Sequence, residues 1–204
     1  MSIAIKVRRV QKVFDTLEEE VSQLKQHTGI RCLSGCGQCC TKPDIEASVL
    51  EFIPLAFELF LQRKSREFKE QLLSSHSPTC TLFQLNALQV MGHYTAGQCT
   101  AYKHRGLICR LFGYASVRDK QGAKRLSTCK LLKTAYAETI DQLHHSGNIN
   151  AIPNFTNYYQ KLVQIDFRLG QEFHPINKAL VRAIEEVEAY YQYRHFPYRL
   201  RRSS

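Results

Sequence analysis

Near the start of the chain, Ile3, Val7, Val10, Phe14, Leu17, Val21 and Leu24 recur at alternating steps of four and three, with polar residues between them. This period puts the apolar side chains on one face and predicts a helix over about residues 3–25. Such a stripe serves either as a coiled-coil arm between two copies or as the inner face of a helix laid on its own domain. The second use is the commoner one in globular folds. Thr28-Gly29 closes the helix, glycine being suited to the left-handed C-terminal position.

Residues 32–42 read as a loop containing Gly35 and Gly37. Asp44 can cap a helix through Ala47, Leu50, Phe57 and Leu61, kinked at Pro54. A charged helix follows over about 64–73. Between Cys80 and Tyr114 the texture changes. Thr81-Leu82-Phe83, Leu88 to Met91 and Leu107 to Tyr114 read as short strands or extended pieces, punctuated by Gly92, Gly97 and Gly106. Cys129 then stands at the front of a helix with Leu132, Tyr136, Ile140 and Leu143 on one face, closed by Gly147. Phe155–Phe167 and Ile176–Tyr193 read as two more helices, the last with the stripe Leu180, Ala183, Ile184, Val187 and Tyr191. The expected fold is mainly helical α+β, with a cysteine loop and short extended segments building a metal site that helices wrap. The expected organisation is an N-terminal amphipathic helix (1–29), a cysteine-cluster domain (30–130), C-terminal helices packed on it (131–193) and a basic tail (194–204).

Composition bounds the reading. The chain has 204 residues, 44% hydrophobic and 23% charged, near the average of soluble domains and long enough to bury a core without metal. The first thirteen residues mix Lys6, Arg8 and Arg9 with single aliphatic side chains and offer no apolar export core. The most apolar stretch, Val49–Leu61, contains Glu51, Pro54 and Glu58 and is too short to span a bilayer. These features lead to the expectation of a cytoplasmic protein without membrane contact, where thiols stay reduced. The formal charge of +10 counts every thiol as neutral. Metal-bound thiolates would cancel part of it, so basicity alone does not call for nucleic acid.

The chemistry lies in eight cysteines. Cys32, Cys36, Cys39 and Cys40 fall within one loop; Cys80, Cys99, Cys109 and Cys129 follow downstream. Clustered thiolates select zinc, iron or copper(I), and cysteines three apart are the usual half-site of a structural zinc centre or an iron–sulfur cluster. Reduced surroundings and crowding favour metal ligation over disulfides. Lys103, His104, Arg105 and Arg110 surround the downstream set, and cations near a thiol favour the thiolate. Any single downstream cysteine also has a bland use as a small buried apolar residue. Cys39 and Cys40 are adjacent, and neighbours in an extended chain point to opposite faces. One ion takes both only across a tight turn, so the pair favours two nearby sites or one multinuclear site.

The order Cys32-x3-Cys36-x2-Cys39-Cys40, Cys80-Thr81-Leu82-Phe83, Gly97-Gln98-Cys99-Thr100-Ala101-Tyr102 and Arg105-Gly106-x2-Cys109-Arg110-Leu111-Phe112 resembles the YkgJ-type cysteine-cluster family. The resemblance spans about Cys32 to Cys129. It implies a zinc- or iron-binding site built by these cysteines, an iron–sulfur cluster included, and it implies no reaction. The family usually has proline where Gly106 and Gly113 stand here. Its first cysteine spacing varies, which makes Cys32 a less regular ligand than Cys36, Cys39 and Cys40.

Two alternatives remain open from sequence. Some proteins resembling this family transfer methyl groups to protein lysines with an iron–sulfur centre, which gives the reading of an iron-dependent enzyme modifying protein side chains. The present chain has no Gly-rich nucleotide loop after a strand. Cys32-x3-Cys36-x2-Cys39 also matches the cluster spacing of radical S-adenosylmethionine enzymes. Those carry an aromatic where Gln38 stands, and they need strand–helix repeats that the helical flanks lack. A hydrolytic zinc site would use histidine or carboxylate ligands. No His-x3-His pair occurs; His144 and His145 would diverge by about 100° on a helix. Asp44, Glu46 and Glu51 follow the cysteine loop, with helix capping and solvation as their simplest uses. The second alternative is a nucleic-acid-associated zinc module. It rests on the tail from Tyr190 to Arg202, which interleaves aromatics with arginines. The bland reading of that tail packs its aromatics on the core. Expected partners are thus a metal ion, with nucleic acid, or a protein partner or second copy on the N-terminal helix, as alternatives.

Overall fold

The computed structural model describes residues 1–32, 35–43, 45–75, 77–85 and 97–197. The fold is mainly helical α+β, as the sequence pattern predicts. Helix α1 (Ile3–Thr28) is capped by the Ser2 side chain and closed by Gly29, whose φ of 70° is the left-handed conformation expected there. Its stripe of Ile3, Val7, Val10, Phe14, Leu17, Val21 and Leu24 is buried in the chain's own core, so the helix lies on its domain. Lys6, also buried, is paired with Asp166 at 2.7 Å.

Next comes a short strand, β1 (Glu46–Ser48), leading straight into α2 (Val49–Leu61). Sequence reasoning places the start of this helix at Asp44, which lies outside the described residues, and counts Ala47 as helical. The structure puts Ala47 in the strand and the cap at Ser48, which forms a capping box with Glu51. The strand wins because β1 has a distant partner. It pairs antiparallel with β6 (Phe173–Pro175), Ala47 opposite His174, and β6 runs directly into α9 (Ile176–Tyr191). Two strand–helix units are thereby joined side by side. Helix α2 is apolar nearly all round, with Val49 through Phe57 buried, as befits a central helix. Helix α3 (Ser65–Ser74) packs on α9 and is tied to it by Ser65 and Lys69, both bonded to Glu188.

The remaining elements are short. Strands β2 (Phe83–Leu85) and β3 (Gly97–Cys99) pair antiparallel with Phe83 opposite Cys99. The stretch expected to be extended, Leu107 to Tyr114, is instead a short helix, α4 (Leu107–Leu111), with only its end extended. Its apolar residues are shared between the two descriptions, and burial of Leu107 and Leu111 against α1 and β1 selects the helix. Strands β4 (Ala115–Arg118) and β5 (Lys124–Ser127) form a hairpin that the sequence pattern did not signal. Asp119 builds its turn, Oδ1 accepting from the N–H groups of Gln121 and Ala123. The helix expected after Cys129 is split at Tyr136 into α5 (Lys130–Ala135) and α6 (Ala137–His145). Likewise the helix from Phe155 ends earlier, as α7 (Phe155–Ile165), and Asp166 caps a separate α8 (Phe167–Gln171). The segment Leu88 to Met91 lies outside the described residues.

The C-terminal aromatics take the bland option. Tyr191 stacks on Phe60 at 5.2 Å between ring centres, and Phe196 stacks on the same ring at 5.3 Å. Residues 198–204 lie outside the described residues. No helix among the described residues is long and apolar enough to cross a membrane.

Candidate metal centre

All eight cysteines are free thiols. Pairwise electrostatic influences link them across five separate pieces of chain. The loop after α1 brings Cys36, Cys39 and Cys40. Gly35, at φ 69°, turns it, and its carbonyl accepts from the N–H of Gly97, so the loop is laced to the start of β3. Gly37 and Gly97 face the Phe83 ring so closely that a Cβ would lie 2.1 and 2.3 Å from Phe83 Cε2. Only glycines admit this approach, and it sets the Cys36–Cys40 loop against β2 and β3.

Cys80 and Cys99 sit at matching turns. The sulfur of Cys80 accepts from the N–H groups of Leu82 and Phe83, and that of Cys99 from the N–H of Ala101. Amides two and three residues on, aimed at sulfur, favour the thiolate and orient it. The two turns are locked together by Thr100, whose N–H and hydroxyl both donate to the Leu82 carbonyl at 2.8 and 3.1 Å. Asn177, at the start of α9, fixes the approach to Cys80. Its Oδ1 accepts from Thr81 N at 2.9 Å, and its Nδ2 donates to the carbonyl oxygens of Thr79 and Ser77. Sequence reasoning missed Asn177 because it lies almost a hundred residues away and belongs to no motif.

Cys109 rides on α4, Cys129 precedes α5 at its N-cap, and Cys32 follows α1. The hydroxyl of Tyr114 accepts from Cys32 N at 3.0 Å and is bonded to the Cys32 thiol. Tyr136 donates to the carbonyl of the preceding Arg31 at 3.4 Å.

Electrostatics tie the sulfurs together. Cys39 is felt by the thiols of Cys32, Cys40, Cys80, Cys99 and Cys109. Cys32 in turn feels Cys36 and Cys129. A turn closed by the Cys40 N–H on the Gly37 carbonyl at 2.8 Å puts the neighbouring Cys39 and Cys40 thiols in hydrogen-bond contact. A tight turn of this kind is what adjacent cysteines need in order to face the same side. The bond from Cys40 pulls the Cys39 thiol down to about 6, helped by backbone amides and Arg105, while the same bond and burial push Cys40 up. Burial, then nearby sulfur charge, raises Cys80 to about 11 and raises Cys109 further. Burial also raises Cys99 and Cys32, the latter offset in part by the Tyr114 hydroxyl.

Among the described residues no three His, Cys, Asp or Glu side chains stand gathered at metal-ligand positions. The donor set itself fits a soft cation. It is all thiol, it carries amide donors, and its members raise one another's proton affinity, a repulsion that a divalent ion would reverse. His144 and His145 end α6 away from this cluster, with His145 Nδ1 bonded to the Asp141 carbonyl. Glu46 is exposed. Glu51 is fully buried and acts as a structural acceptor, for Ser48 N, Ser48 Oγ and Ile108 N. His76 and His93 lie outside the described residues.

Eight reduced cysteines on a mainly helical frame define the class of a cysteine-rich protein. Residues 31–130 match the model of the CxxCxxCC family, described as a "Putative zinc- or iron-chelating domain". The match takes in every cysteine of the chain and leaves α1 and the helices from α6 onward outside it. Comparison with curated proteins and with solved structures gives no significant match.

Proposed function

We propose that the protein binds zinc or iron through a thiolate-rich centre. Its ligands are drawn from Cys32, Cys36, Cys39, Cys40, Cys80, Cys99, Cys109 and Cys129. The observation that carries this reading is the position of Cys39, within electrostatic reach of five other thiols, three of which (Cys80, Cys99 and Cys109) come from distant parts of the chain. Eight converging reduced cysteines have no simple packing explanation, since a buried cysteine used as a small apolar residue needs no others around it.

The contacts support two adjoining groups. One gathers Cys32, Cys36 and Cys129; the other gathers Cys40, Cys80, Cys99 and Cys109; Cys39 adjoins both. Two neighbouring ions, or one multinuclear cluster bridged at Cys39, satisfy this arrangement. The centre serves metal handling, redox sensing or structure in a reducing compartment, where free thiols persist.

The test is elemental analysis of protein purified without air or chelator, with each cysteine changed to serine in turn. Wild type is expected to hold zinc or iron, and Cys39→Ser to lose at least half of it. Charge-transfer absorption in the visible would identify iron–sulfur. Full metal content in Cys39→Ser, or neither metal in wild type, would overturn the assignment.

A further inference from the structure

Arg105 enters the sulfur cluster as a cation. It is close enough to Cys39 and to Cys99 to favour both thiolates. Its side chain is 13% exposed, its guanidinium covers the Tyr102 ring at 4.0 Å, and its Nε is buried with no acceptor among the described residues. A buried donor left without a partner is uncommon and calls for a reason. Two more such atoms flank cysteines, the hydroxyls of Thr81 beside Cys80 and Thr128 beside Cys129.

What orients Arg105 comes from outside the family domain. Glu18, on α1, accepts from Arg105 Nη2 at 2.7 Å and from Arg110 Nη1. Arg110 in turn donates from Nε to the Arg105 carbonyl at 3.0 Å and from Nη2 to the Lys103 carbonyl at 2.8 Å, and its guanidinium lies 4.5 Å from the centre of the Phe14 ring, also on α1. One carboxylate thus serves two arginines. Burial, and then repulsion from the nearby Arg105 guanidinium, depresses the proton affinity of Arg110, and Glu18 offsets part of this. An arrangement this costly to desolvate is more than helix packing requires.

We propose that α1 is a working part of the metal centre: Glu18 is a positioning residue that holds Arg105 as the charge partner of Cys39 and Cys99. This rests on the reading of the cysteines as a thiolate site. Arg105 then balances the negative charge of a sulfur-rich complex, and its free Nε–H is the donor available to a bound thiolate. Outer hydrogen bonds of this kind set how tightly a thiolate centre holds its ion.

Two experiments separate this proposal from the metal assignment. The first needs no metal. Reduced, metal-free protein is alkylated with an equimolar mixture of iodoacetate and iodoacetamide, and the two products are counted at each cysteine by mass spectrometry. Both reagents meet the same thiolate, so their ratio reports local charge rather than protonation. Arg105→Gln is expected to lower the anionic-to-neutral ratio about threefold at Cys39 and Cys99, as removal of one nearby cation implies, and to leave Cys32 unchanged. Arg105→Lys should restore it, and Glu18→Gln should alter it. The second experiment loads cobalt(II) anaerobically and follows the sulfur-to-metal charge-transfer band during chelator competition. Arg105→Gln is expected to release cobalt at least tenfold more readily, with Arg105→Lys near wild type. An unchanged alkylation ratio at both cysteines in folded Arg105→Gln would overturn the proposal. So would cobalt retention equal to wild type. A wild type that binds no cobalt, with the ratio shifted as expected, would sink the metal reading and leave the charge partnership standing.

Discussion

Glu51 Oε2 accepts a hydrogen bond from the backbone N–H of Ile108 at 2.8 Å, so a fully buried carboxyl on α2 caps the helix that carries Cys109. Its other oxygen accepts from Ser48 N at 2.6 Å, from Ser48 Oγ and, at 3.4 Å, from the Tyr159 hydroxyl. One side chain therefore joins the N-termini of α2 and α4, where helix dipoles favour negative charge. Burial outweighs these bonds and raises the carboxyl from 4.5 to about 7.

Stability should accordingly fall as pH rises through that window. Below about 4.5 the carboxyl is protonated in both states. Between 4.5 and 7 the unfolded chain releases its proton first, which favours unfolding. The loss approaches about 3 kcal/mol by pH 7.5. Asp166, held down by the Leu169 amide and Lys6, and Glu172, held down by His174 and Arg182, act oppositely and only at lower pH. Cys39, held down to about 6, opposes the decline above pH 6, so urea unfolding of reduced, metal-free protein from pH 5 to 7.5 should show the Glu51 effect as a growing gap between wild type and Glu51→Gln. Parallel curves for the two proteins would contradict this account.

Gly106 depends on the same carboxyl. A Cβ there would stand 2.7 Å from Glu51 Oε2 and 2.8 Å from Phe52 Cζ. Its φ of −64° would suit proline, the residue usual in the family, so crowding rather than backbone conformation excludes a larger residue. Gly106→Ala should cost about 2 kcal/mol. Combined with Glu51→Ala it should cost less than the sum of the two, because the first clash is gone. Thermal unfolding of the four proteins in the cycle measures this coupling.

Asn177→Ala should loosen the Cys80 turn by removing three hydrogen bonds to residues 77–81. We expect a stability loss of about 2 kcal/mol and metal affinity reduced roughly tenfold or more. Zinc competition with a chromophoric chelator reads the second effect. Unaltered affinity would make Asn177 a fold residue only.

Gly37→Ala should separate the Cys36–Cys40 loop from β2, since the new methyl would meet the Phe83 ring. Because the core of α1, α2 and α9 lies elsewhere, helical circular dichroism should persist while metal content drops. Phe83→Leu in the same chain should recover part of the metal. Its failure to do so would point to a cause other than ring contact.

The sequence disclosed long elements and the sulfur chemistry, and it hid the short and distant relationships. Helices α1 and α9 follow from uninterrupted apolar periodicity and α3 from its charged composition, and Gly29 and Gly147 mark ends where φ turns positive. Helix α4 was read as extended because five apolar-rich residues carry too little periodicity to decide; its contacts with α1 decide it. The cap of α2 was placed too early since β1 is fixed by β6, more than 120 residues away. The breaks at Tyr136 and Asp166 lack glycine or proline, so nothing local announced them. At the site, the cysteines and Arg105 were visible by type and clustering. Glu18 and Asn177 were not, because a charged or amide side chain on a helix looks solvated until its distant partner is known.

The antiparallel pairing of β1 with β6 bears on where the protein can be cut. An excised fragment ending near residue 130 would keep every cysteine and lose the strand opposite Ala47, the α9 face against which α2 is buried, and the Asn177 clamp. Such a fragment would bare a greasy helix to water and clump before it met an ion. Expression boundaries that respect the metal motif therefore have to reach past Tyr191.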